Sequence, residues 1–122
     1  MTEPNLITKI TQELKLAALS QDRGNEGKAR VCARRAAGWA IQEYLRQQEI
    51  SIGNNNALDH IKYFAAQNGH SPQIAAVLHH LLIKLEKESL ESDAYYPIQG
   101  VDLVGEAQWL VEELLQTKLD LS

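Results

Sequence analysis

The chain has 122 residues, 12 Lys/Arg against 16 Asp/Glu, a net charge of −4 and 44% apolar residues. This length and balance suit one globular domain that buries a core without metals or disulfides, and they argue against a chain drawn as a whole to nucleic acid. The single cysteine, Cys32, excludes an intrachain disulfide, and no stretch approaches the roughly 18 apolar residues of a membrane span.

The N-terminus, MTEPNLITKITQEL, is polar and amphipathic, unlike a secretory signal. A lone cysteine among apolar helical neighbours fits a reducing compartment, so a cytoplasmic location is expected. The first predicted helix runs from about Pro4 to Ser20. Leu6, Ile7, Ile10, Leu14 and Ala17 recur at steps of three and four. QDRGNEG, with two glycines among polar residues, breaks the pattern. A second helix is expected from about Lys28 to Gln48, stopped by SIGNNN, and a third from Ala57, capped by Asn55 or Asn56. Leu58, Ile61, Phe64 and Ala65 form its apolar face, and Gly69 suits a left-handed closing position. Ser71-Pro72 then signals a fourth helix to about Leu90, with Ile74, Val77, Leu78, Leu81, Leu82 and Leu85 inward. After SDAYYPIQG, a fifth runs from about Asp102 to Thr117 and turns Val104, Ala107, Leu110, Val111 and Leu114 to the core. No segment alternates convincingly, and ISI at 50–52 is too short to build a sheet. The expected fold is an all-α antiparallel bundle of four main helices and one shorter one.

Charge is uneven along this pattern. Residues 21–50 carry six Lys/Arg and four Asp/Glu, whereas 86–122 carry two Lys and nine Asp/Glu. The basic middle and acidic end either attract each other, within the fold or across a dimer, or mark separate partner surfaces. On the second helix, at about 100° per residue, Ala29, Ala33, Ala36, Ala40 and Tyr44 share one stripe against which another helix can lie closely. Lys28, Arg35, Gln42 and Arg46 share an edge with Trp39 at its border. An indole beside guanidinium groups can stack a base while the cations meet phosphate, so Lys28, Arg35, Trp39 and Arg46 are the candidate nucleotide- or RNA-binding residues. The competing expectation is that these cations only cover apolar surface and pair with acidic groups of the fold. Arg30 and Arg34 lie one turn apart on a different edge.

Other chemistry is poorly supported. His79 and His80 are adjacent and diverge on a helix, and His60 and His70 add no ligand spacing, so all four read as flank or surface residues and no metal is expected. Cys32 reads as a buried small hydrophobe. Glu86, Glu88, Glu91, Glu106, Glu112 and Glu113 read as a solvated face. GxxxxGK[ST] and GxGxxG are both absent. No catalytic residue and no cofactor is expected.

The order of features resembles the HEPN family of small helical domains over roughly residues 4–117. The points of similarity are the amphipathic first helix, the Gly-bearing loop, CARRAAGWAIQEYL, and the YYP loop before DLVGEAQWLVEELL. The resemblance implies an antiparallel bundle that usually dimerises and that binds nucleotide or RNA. It also implies a nucleotidyltransferase as partner protein, as in toxin–antitoxin pairs. Tyr96 and Pro97 match the family's loop, with Tyr95 where relatives place arginine. Catalytic members carry Arg-x4–6-His; here the last arginine is Arg46 and the first histidine His60. The resemblance therefore points to a non-catalytic binding module. The alternative is a structural or interaction protein that forms a homodimer.

Overall fold

The computed structural model describes residues 3–51, 56–83 and 101–121. Among these residues, five helices form an all-α bundle: α1 Pro4–Asp22, α2 Glu26–Gln47, α3 Ala57–Ala65, α4 Pro72–Leu82 and α5 Leu103–Leu115. There is no strand among the described residues.

The caps explain most of the boundaries. The side chains of Asn25, Asn56, Ser71 and Asp102 accept hydrogen bonds from Lys28, Leu58, Ile74 and Gly105 N–H, each filling one of the free donors at a helix start. Pro4 and Pro72 sit in first turns, where the missing N–H costs nothing. The first break is shorter than QDRGNEG suggests. Gln21 and Asp22 still belong to α1, and Asn25 caps early enough to bring Glu26 and Gly27 into α2. Gly24 makes the turn with φ +79, a backbone conformation other residues adopt at a cost.

α2 is the centre of the bundle and packs against each of the other four helices. Its alanine stripe is the reason. Ala33, Ala36, Ala37 and Ala40 are fully buried beside Ile10, Leu14, Ile41, Ile61, Leu78, Leu81, Leu110 and Val111. Alanine keeps the helix intact while leaving room for a neighbouring helix on every buried side. A smaller cluster of Ala17, Ala29, Cys32 and Val104 closes the end near the α1–α2 turn. The sequence-predicted inward faces of α1 and α5 hold: Ile10, Leu14 and Ala17 are buried on one, Val104, Ala107, Leu110, Val111 and Leu114 on the other.

Two expectations change. α4 does not continue at Ile83, whose backbone is extended. The apolar period runs on to Leu85, but the carbonyls that would accept bonds from the next turn are taken by α2. Arg34 Nε donates to Leu81 O at 2.5 Å and Nη2 to Ile83 O at 2.6 Å, with Arg30 Nη1 at 3.4 Å from the same Ile83 O. Cations at a helix C-terminus are favoured by its dipole. Leu85, Leu90 and the rest of that expected helix lie outside the described residues. His60 is the second change. It is 1% exposed, on the face that carries Phe64 one turn later, and its Nε2 has no hydrogen-bond partner.

Candidate functional site

The edge chosen from the sequence lies along the seam between α1 and α2. The helices run antiparallel there. Lys9 Nζ sits 4.1 Å from the centroid of the Trp39 ring, and one turn away Glu13 Oε1 accepts from Arg35 Nη1 at 2.8 Å. Each pair is four residues from the other on both helices, so the seam repeats once per turn. Among the described residues, the negative partner of Arg35 is therefore Glu13 of α1.

Arg46 is held differently. Its Nε and Nη2 each donate at 2.7 Å to Glu43 Oε1 and Oε2, a fork-to-fork pair one turn back on α2. Gln47 Nε2 adds a bond of 2.8 Å to Glu43 Oε2. The Glu43 side chain is only 9% exposed. The Arg46 hydrogen bonds therefore hold its carboxyl below the ordinary 4.5 despite burial, and Gln47 contributes in the same direction. The sign of the linkage follows. A lowered folded-state value means stability that is present above about pH 4.5 and lost as pH falls through the folded value. Glu43→Gln is expected to remove that contribution. The gap between the unfolding midpoints of wild type and variant should be widest near neutrality and shrink below about pH 4.5, as measured by urea unfolding at several pH values.

The four candidate residues do not form one site. From Lys28 to Arg46 the helix rises about 27 Å. Lys28 lines a shallow cleft of about 250 Å³ with Leu16, Leu19, Ser20, Arg23 and Asn25 at one end of the seam. Arg35 is tied to Glu13 in the middle. Trp39 and Arg46 meet at the other end, where they line a cleft of about 330 Å³ with Leu6, Gln42, Glu43, Leu45, Ile50 and Ser51. That volume lies at the small end of ligand sites, and the mixture of apolar walls with a few polar groups is the usual composition of one. Tyr96 and Pro97 of the YYP loop lie outside the described residues.

Several of the remaining chemical groups have structural partners. Burial pushes the Cys32 thiol up, and Glu13 pushes it the same way against the opposing pull of Arg35 and Lys28, so it is not an activated thiolate. His80 Nδ1 pairs with Glu106 Oε1 at 2.7 Å and ties α4 to α5. His70 Nε2 lies 2.6 Å from Phe64 O, and its ring lies against Phe64 at 4.4 Å. Glu112 Oε2 accepts from Leu119 N–H at 2.8 Å and anchors the segment after α5. Glu106 and Glu112 are thus part of the packing and not only a solvated face. No group of three or more His, Cys, Asp or Glu among the described residues is placed to hold a metal ion. No helix among them is long and apolar enough to cross a membrane.

Two features of the sequence signal this site beyond the edge itself. Glu43, Arg46 and Gln47 stand at i, i+3 and i+4, the spacing of side-chain pairs on a helix. Lys9 and Glu13 stand at i and i+4 on α1, matched to Trp39 and Arg35 on α2. Comparison with family models, with curated proteins and with solved structures gives no match.

Proposed function

We propose that the chain is a non-catalytic, HEPN-like binding module whose ligand, a nucleotide or a base of single-stranded RNA, enters the cleft between Trp39 and Arg46. The single observation that carries this reading is convergence. Of the edge chosen from the sequence, Trp39, Gln42 and Arg46 border one concavity, whereas Lys28 and Arg35 are directed elsewhere. The resemblance adds a nucleotidyltransferase as partner protein. The test is fluorescence anisotropy with labelled nucleotides and short RNA. Gln42→Ala should weaken binding by about tenfold or more, equivalent to the roughly 1.4 kcal/mol lost with one good polar contact. Arg35→Ala should change it less than twofold, because Arg35 does not line the cleft. Equal losses from Arg35→Ala and Gln42→Ala would make the whole edge the site and defeat this assignment.

A second reading, a homodimeric interaction protein, is favoured by one specific feature. Leu16, Leu19 and Val31 are among the large apolar side chains left exposed, and all three lie on α1 and α2. Exposed apolar side chains on neighbouring elements are a common basis for self-association. Light scattering at tens of micromolar should give twice the chain mass, and Leu19→Glu with Val31→Glu should return it to the monomer. A wild-type monomer would rule this reading out.

A further inference from the structure

We infer that the Trp39–Arg46 cleft recognises the uncharged base of its ligand and not its phosphate. The inference rests on the reading of this cleft as the ligand site. Its walls carry one negative and one positive charge, Glu43 and Arg46, and these are already joined. Both Glu43 oxygens are committed, one to Arg46 Nε and the other to Arg46 Nη2 and Gln47 Nε2. A phosphate that took the Arg46 fork would leave a carboxylate in a nearly closed position without its cation, the costly way to break such a pair. Glu3 also acts on Arg46 as a negative charge. The two charges that line the cleft therefore offset each other, and a phosphate would have to compete with Glu43 for Arg46.

What the walls do present suits a flat, neutral, hydrogen-bonding ring. Leu6, Leu45 and Ile50 supply apolar surface, and Trp39 adds its indole, one face of which lies under the Lys9 ammonium. Gln42 is exposed beside them and carries an amide with donors and an acceptor side by side. That arrangement matches the adjacent donor and acceptor of a base edge in the way a carboxamide pairs with adenine. The cleft has room for one base with its sugar and not for a stretch of strand.

Isothermal titration calorimetry with the four ribonucleosides and their 5′-monophosphates tests this on the intact chain. At least one nucleoside should bind, and its monophosphate should bind within about threefold of it. Raising salt to about 200 mM should change neither affinity by more than about twofold, in contrast to a phosphate-dominated site. Gln42→Ala, an exposed change that leaves the core intact, should weaken the nucleoside and the monophosphate equally. A monophosphate that binds more than tenfold tighter than its nucleoside, with strong salt dependence, overturns the inference and leaves the site assignment standing. Lys9 leaving the indole for a phosphate would give that same result. Nucleoside binding that Gln42→Ala does not alter overturns the assignment of the cleft. The absence of binding by any of the eight compounds overturns both.

Discussion

Gly38→Ala should destabilise the chain by about 1–3 kcal/mol, although alanine is the better helix former. Gly38 lies within α2, where the N-terminus of α3 crosses it. A Cβ at this position would stand 2.6 Å from Ala57 Cβ and 2.8 Å from Ala57 Cα, closer than real Cβ contacts come. The obstacle is the backbone at the first residue of α3, not the tip of a mobile side chain, so relief requires α3 to move away from α2. That movement would loosen Ile61 and Phe64 in the core. The gain of about 1 kcal/mol from removing a helical glycine offsets only part of the overpacking. Thermal unfolding should show a midpoint lower by several degrees, since about 1 kcal/mol corresponds to roughly 4 °C or more in a domain of this size. An unchanged or higher midpoint would mean that α3 does not press on α2 at Gly38.

Arg34→Met should cost about 2–4 kcal/mol, taking the range for two hydrogen bonds to a charged group less what water restores. Methionine keeps the length and apolar stem of the side chain but loses both donors to Leu81 and Ile83. Those carbonyls stand at the C-terminal end of α4. Arg34→Lys is the informative companion: it keeps the charge at the dipole's negative end but not the planar fork, so it should recover less than half of the loss. Equilibrium urea unfolding of the three proteins measures this. If Arg34→Met unfolds with wild-type stability, the clamp between α2 and α4 contributes nothing to the fold.

Both expected results turn on groups whose roles the sequence concealed, and the reason is the same in each. Periodicity and capping residues are local, so Pro4, Asn56, Ser71 and Asp102 marked their helix starts well. The buried alanines of α2 and the apolar face of α5 were legible for the same reason. What an arginine bonds to is a tertiary fact. Arg30 and Arg34 reach carbonyls about fifty positions away in sequence, and nothing within a helical turn of Arg34 signals that. Leu85 extended the apolar period of α4 and so hid the break at Ile83. His60 looked like a flank residue because histidine is polar, although its i, i+4 relation to Phe64 placed it on the inward face.

The candidate site was legible in part. Helical spacing put Lys28, Arg35, Trp39 and Arg46 on one edge, and they are on one edge. Spacing does not give the partner helix, and α1 is what divides that edge into three places. Glu13 neutralises Arg35, Lys9 covers one face of Trp39, and the cleft that Trp39 and Arg46 share with Leu6 is separate from the one at Lys28. Glu43 completes the revision, because its buried carboxylate makes the most promising guanidinium, itself exposed, half of an ion pair.

The central claim is that ligand binding is confined to the last two turns of α2. Two-dimensional NMR of the labelled chain, with the responsive nucleoside added stepwise, tests it most directly. Trp109→Phe identifies which of the two indole N–H signals belongs to Trp39. The account predicts shifts of the Trp39 indole, the Gln42 side-chain amide and the backbone amides of Leu45 and Arg46, with those of Lys28 and Arg35 unmoved. Shifts spread along α2 from Lys28 to Arg46, or confined to its Lys28 end, would contradict it.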